Sequence, residues 1–327
     1  MSGPAVISLG QVIVDLTMRV DAVPRPGEDV FADGCQAQVG ASYNMMHAVR
    51  RMGVEARHGG VVGRGPWASM IEDALRRDGI AHVGMRLEDE DNGFCIALTD
   101  AHAERTFVST RGAEAHAPDD AFAGIEPDAH DVLYVSGYTL VHPTARALLA
   151  FLRRTAGHRW TAVFDASPMV AQADDLTLRT LVDYRPVWTC NEREAGLLAA
   201  RLGVGARGGA DAGADAAAAD GETGAAAAYR ALADALGAPL IVRVGSGGAW
   251  VCDGACTPVP GFPVEPVDTN GAGDCHTGVL CACLARGLPL VDAVRAANAA
   301  ASIAVTRRGP ATCPERREVE RLLAAGR

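Results

Sequence analysis

At 327 residues the chain has room for one large α/β domain or two smaller ones, and with 49% hydrophobic but only 5% aromatic residues its core is expected to be aliphatic. The formal net charge of −10 excludes the broad basic face that a nucleic acid or a membrane surface requires, while leaving room for a phosphate held by local N–H groups. Residues 279–290 are apolar but are interrupted by Arg286, Gly287 and Pro289, too short to span a bilayer; the start carries no basic leader, so a cytoplasmic protein is expected.

Taken in chain order, residues 6–9 and 12–16 read as strands split by Gly10, with Asp15 near the end of the second. Residues 44–52 have helical spacing and stop at Gly53; residues 68–77 form a second amphipathic helix closed by Gly79. Residues 94–98 and 105–109 are expected to form a hairpin around the polar turn 99–104. Short apolar runs follow at 132–135, 162–165, 187–190 and 240–244, with helical stretches such as 144–155 and 172–181 between them. That alternation predicts a parallel sheet covered on both faces. After Asp274 the pattern is helical nearly to the end. Residues 203–228, almost all Ala, Gly and Asp, read as a low-complexity surface insertion without a catalytic role. The nine cysteines show no zinc-binding spacing, even at the close pairs Cys252/Cys256 and Cys281/Cys283, and are expected to be reduced and mostly buried.

The string Val267-Asp268-Thr269-Asn270-Gly271-Ala272-Gly273-Asp274 carries the most chemistry. Its glycines let the backbone turn and aim successive N–H groups at one point, and a helix starting near Gly273 adds its positive end. A carboxylate beside such an anion hole suits a reaction in which a hydroxyl loses a proton while attacking the γ-phosphate of ATP. The plainer reading is a helix N-terminus capped by Asp274. The string resembles the seven-position D-T-x-G-A-G-D signature of the ribokinase (PfkB) family of carbohydrate kinases at all six fixed positions, with Asn270 in the free one and His276 where that family usually has Phe. His276 is read as a packing or substrate-contact residue.

A second segment, Val39-Gly40-Ala41-Ser42-Tyr43-Asn44, resembles the family's N-terminal signature, with Ala41 in place of its second glycine. A small residue lets a sugar approach the backbone and an Asn amide serves vicinal hydroxyls, although Asn44 would also cap a helix. The resemblance implies a sugar site of Asp15, Gly40 and Asn44. An acidic Asp15 favours a neutral sugar or nucleoside over a sugar phosphate, a preference that Arg105 or Arg111 would reverse. Asn191 and Glu194 match the N-x-x-E element, implying Glu194 near Mg²⁺ through water; as plain sequence they form a capping box. Gly245 and Gly248 resemble the nucleotide loop, and read equally well as a hairpin turn. The resemblance further implies Asn298 near the base, and K⁺ held at Asp268, Asn270, Ala304, Arg307, Gly309 and Cys313. Of the family's D-x-N-x-R element only Asp165 is present.

The implied fold is α/β and ribokinase-like: a single domain over residues 1–327, with a mainly parallel sheet flanked by helices and a small β lid from about 17–39 and 94–110. The implied activity is ATP- and Mg²⁺-dependent phosphorylation of a primary hydroxyl of a small sugar. Asp274 would be the base, and the N–H groups of Ala272, Gly273 and Asp274 would form the anion hole at Gly271. A nucleoside kinase of the same fold and a non-catalytic sugar sensor are the alternatives, and a homodimer through the lid is expected. A dinucleotide-binding fold is disfavoured, because no G-x-G-x-x-G follows the first strand.

Overall fold

The computed structural model describes residues 3–102, 104–205 and 224–326. The chain starts in β1 (Ala5–Ser8), leaves for β2 (Val12–Arg19) and β3 (Gly34–Ala41), and returns through α1 (Ser42–Arg51) to β4 (Glu55–His58). After α2 (Pro66–Arg77) and the short β5 (Ala81–His82) it departs again as β6 (Phe94–Thr99) and β7 (Arg105–Ser109), then re-enters as β8 (Val132–Ser136). From there α3 (Ala145–Arg154), β9 (Thr161–Asp165), α4 (Asp175–Tyr184), β10 (Val187–Asn191), α5 (Glu192–Leu202), α6 (Gly224–Leu236) and β11 (Leu240–Arg243) alternate. A hairpin of β12 (Gly248–Asp253) and β13 (Ala255–Pro260) precedes α7 (Ala272–Ala285), α8 (Leu290–Ala304) and α9 (Arg316–Ala325).

The two excursions from the main sheet pair with each other. They form a separate four-stranded sheet in the order β3-β2-β6-β7, while the main sheet runs β13-β12-β11-β10-β9-β8-β1-β4-β5. All pairings between β11 and β5 are parallel, and β12 and β13 add an antiparallel edge. Strands such as β8, buried at every residue, need helices on both faces, and two apolar clusters supply that cover. One cluster joins α1, α7 and α8 to the sheet; the other joins α3, α4, α5 and α6 to the opposite face. α7 is apolar nearly all round because it lies inside the first cluster.

Three expectations are corrected here. Residues 12–16 belong to the small sheet, so the lid begins earlier than residue 17 and continues to Ala41. Of the insertion at 203–228, residues 206–223 lie outside the described residues, whereas 224–228 open α6. Cys252 and Cys256 face each other across the β12–β13 hairpin and are joined by a disulfide, so not every cysteine is a free thiol. The hairpin register brings them together. Of the remaining seven, Cys35 alone is exposed.

Candidate active site

Parallel strands deliver their C-terminal ends to one edge of the sheet, and there Ser136, Asp165, Asn191 and Arg243 fall side by side. A cleft at such an edge is where open α/β sheets bind ligands. α7 starts at the same edge. Gly271, at φ 72°, is its N-cap, and a side chain there would overlap the Pro310 carbonyl. Ala272 donates its N–H to the Thr269 carbonyl at 3.3 Å, so it is less available to an anion than those of Gly273 and Asp274.

Asp274 sits in the first turn of α7, and Asn44 in the first turn of α1 donates its amide to Asp274 Oδ2 at 3.0 Å. These two residues, 230 apart in sequence, meet because the helices cross closely: a side chain at Gly278 would overlap the Met45 carbonyl and Ala48. Burial raises the Asp274 pKa to about 7; Asn44 and Arg243 pull it down, and Asp165 and Asp15 push it up. A carboxyl poised near neutrality is suited to accept a hydroxyl proton. Asn44 Oδ1 is buried without a hydrogen-bond partner.

Asp15 projects from β2 onto Gly40 of β3, where any side chain would overlap its carboxylate. Burial raises its pKa to about 6. Asp15, Gly40, Asn44 and Asp274 therefore converge, as the sequence predicted. Ala41, between them, holds φ 56° and ψ −132°, a conformation that glycine adopts far more easily.

A centre of charge lies beside this group, built on an arginine that the sequence reading did not single out. Arg243, ending β11, makes a two-pronged pair with Asp165 at 3.1 and 3.3 Å, hydrogen-bonds Thr189 and Thr277, and lies 3.6 Å from Glu194. Burial opposes its charge, and Asp165 and Glu194 outweigh burial and raise its pKa. An arginine ending an otherwise apolar strand requires a buried carboxylate, and that was the available signal. Asn191 and Glu194 form the capping box of α5, at 2.8 and 2.9 Å. Tyr138, 44% exposed on the turn after β8, was also missed; burial raises its pKa, with Glu194, Asp274, Asp165 and the lid's Cys95 adding to it.

A model of the family described as pfkB family carbohydrate kinase matches residues 4–317. The chain belongs to the pfkB family. It is similar to the uncharacterized sugar kinase YegV of Escherichia coli, at 32% identity over 96% of this chain and 92% of that protein. Among solved structures it resembles a ribokinase of Thermotoga maritima, with a TM-score of 0.79, 22% identity and coverage of 99% of this chain and 100% of that one. A putative ribokinase II from Escherichia coli, solved in complex with ATP and Mg²⁺, has a TM-score of 0.74 and 21% identity over 99% of this chain and 100% of that one. The fold is that of these ribokinases, and the pfkB chain is a carbohydrate kinase.

Other positions that the family resemblance marks behave differently. The Asn298 amide donates to the Val259 and Pro260 carbonyls of β13, and its oxygen meets His276 Nε2. His276 is 3% exposed and is kept neutral by burial, a packing residue in this pfkB chain. Gly245 and Gly248, both at positive φ, form the turn between the antiparallel strands β11 and β12, as the hairpin reading expects. In the expected K⁺ set, the Ala304 carbonyl already accepts from the Arg307 N–H and Thr312 hydroxyl, and the Cys313 carbonyl from Arg51. The Arg307 side chain is turned to Thr312 and Glu318. Asp268 and the carbonyls of Asn270, Arg307 and Gly309 are what remains of the set.

Among the described residues no helix is long and apolar enough to cross a membrane.

Proposed function

We propose that this kinase transfers the γ-phosphate of ATP to a primary hydroxyl of a small uncharged sugar, with Asp274 as the base. The observation that carries the reading is the Asn44–Asp274 hydrogen bond at the mouth of the α7 N-terminus, on a carboxyl whose pKa is raised to about 7. Asp15 and Asn44 Oδ1 accept from two sugar hydroxyls and turn a third toward Asp274. Asp274 takes that proton as the oxygen bonds to the γ-phosphorus, the bridging P–O bond breaks, and ADP leaves. The N–H groups of Gly273 and Asp274 face the charge on the transferred group.

Among the described residues no three His, Cys, Asp or Glu side chains gather as a metal cage. That fits Mg²⁺, which keeps its waters and arrives with the triphosphate, leaving Glu194 to hold one of those waters. Bound there, Mg²⁺ would neutralise phosphate charge. A monovalent cation would take the reduced oxygen set around Asp268. Tyr138, with its exposed ring at the cleft, supports a nucleoside as the second reading, since a base could stack there. The exposed Phe31, at 92%, and Val108, at 58%, on the lid support a dimer through that surface.

The test is ATP consumption with Mg²⁺ and K⁺ across pentoses, ketoses, sugar acids, sugar phosphates and nucleosides. Turnover on a neutral sugar, reduced by ~10³-fold or more in Asp274→Asn with ATP binding retained, is expected. Turnover of that variant at the level of the natural enzyme would overturn the role of Asp274.

A further inference from the structure

Side chains on one face of the lid sheet can be ordered by strand register. Gln38, Asp15, Cys95 and Ser109 are paired across the four strands; Gln36, Thr17, Ala97 and Phe107 form the next row on that face; Gly34, Arg19, Thr99 and Arg105 form the third. This face looks into the cleft, because Asp15 in the first row and Cys95 beside it are felt by Asp274 and Tyr138 of the core. The third row meets the core as well: Arg105 Nη2 lies 3.4 Å from Asp268 Oδ1. Charge is thus sorted along the lid, with a carboxylate over the sugar site and two arginines, Arg19 and Arg105, at the far end.

Asp268 is where the anion-binding turn is fastened. Its Oδ1 accepts from the Asn270 N–H at 2.9 Å and its Oδ2 from the Gly309 N–H at 3.0 Å, which ties the segment leading into Gly271 to the loop at Pro310. Both carboxylate oxygens have N–H partners without Arg105, so the 3.4 Å contact, between side chains 41% and 22% exposed, is a weak surface pair. A triphosphate is a far stronger partner for a guanidinium.

We infer that Arg105 is a contact to the phosphates of ATP carried by the lid, resting on Asp268 until the nucleotide arrives. This deepens the proposed kinase activity and rests on it. The alternative, that Arg105 binds an anionic group of the sugar itself, suits the register less well. Arg105 stands two rows beyond the row of Asp15, about 13 Å along the sheet, and beside the phosphate turn. Closing the lid over the sugar would bring this positive charge to the group in transfer, where one well-placed donor changes the rate by about 10²–10³-fold.

The experiment is calorimetric titration of the full-length protein with ADP and with a non-hydrolysable ATP analogue, both with Mg²⁺, for the natural enzyme, Arg105→Ala and Arg105→Lys. Turnover is measured alongside. The natural enzyme is expected to bind the triphosphate more tightly than ADP, and Arg105→Ala to lose that preference. Turnover of Arg105→Ala is expected to fall by ~10²-fold with the sugar KM within about 2-fold, and Arg105→Lys to recover part of it. An unchanged preference and rate in Arg105→Ala would overturn the inference and leave the kinase reading intact. A raised KM for an acidic or phosphorylated sugar, with nucleotide binding unchanged, would also overturn it and assign Arg105 to the acceptor. Failure of the natural enzyme to bind either nucleotide would overturn both readings.

Discussion

Replacing Asn44 by Ala should move the pH at which the Asp274 carboxylate, the proposed base, becomes usable. Asn44 gives Asp274 a hydrogen bond of 3.0 Å, and that bond is the first influence that pulls down a pKa which burial has raised to about 7. A hydrogen bond to a charged group contributes about 1.5–3 kcal/mol, and one pKa unit corresponds to about 1.4 kcal/mol. Losing it therefore shifts the acidic limb upward by about 1–2 units. At pH 7, where roughly half of Asp274 is ionised in the natural enzyme, the ionised fraction falls by roughly 5–50-fold. The assay is ADP release with the identified sugar from pH 5.5 to 9.5, reported as kcat/KM because that ratio follows the pKa values of the enzyme before substrate binds. In the proposed reaction Asn44 also contacts the sugar, so some loss at every pH is expected; the limb itself is the readout. A limb that stays near 7 while rates drop uniformly would refute the account and reduce Asn44 to a substrate contact.

Three further outcomes follow from the same geometry. Ala41→Gly removes a side chain from a φ of 56° and should stabilise the protein by about 1 kcal/mol in chemical denaturation; a loss of similar size would refute the strain. Gly278→Ala forces a methyl group onto the Met45 carbonyl and Ala48. It should cost about 1–3 kcal/mol and lower turnover by shifting Asn44, measurable as Tm and kcat together. Asp274→Asn should inactivate the enzyme and stabilise it. The native carboxyl has its pKa raised from 3.8 to about 7, so the folded state bears the full cost of ionising it above pH 7 and is relieved as pH falls toward 4. Denaturation at pH 8 should show a gain of about 3–4 kcal/mol that vanishes near pH 4, and an equal gain at both pH values would contradict the burial argument.

What could be read from the sequence was what is local. Asp268–Asp274 is contiguous, and Asn44 and Asp15 lie within a few residues of a strand end and a helix start, so their types and spacing mark them as candidates. Arg243 was silent because its partners Asp165, Glu194, Thr189 and Thr277 come from four other elements, and only sheet order and helix packing unite them. The partners of Asn298 were hidden for a similar reason. Its partners are carbonyls of β13, whose sequence Ala-Cys-Thr-Pro-Val-Pro carries two prolines and reads poorly as a strand, though an edge position tolerates them. β3 was also invisible: Gly-Cys-Gln-Ala-Gln-Val-Gly-Ala has a single β-branched residue, Val39, and is exposed over its first half. The central parallel strands β1, β8 and β11, almost wholly buried, wrote their identity in Val, Ile and Leu.

β3 passes directly into α1, and α1 is seated on α7 at Gly278. If the lid closes, β3 would act as a lever whose fulcrum lies beside the Asp274 carboxylate. Its eight residues reach roughly 25 Å from Ala41 to Gly34. A tilt of about 10° at the fulcrum would swing the far tip by roughly 4 Å, while Asn44, less than one helical turn from the pivot, would move by under about 1 Å. Large travel at the rim and stillness at the base come from the same joint.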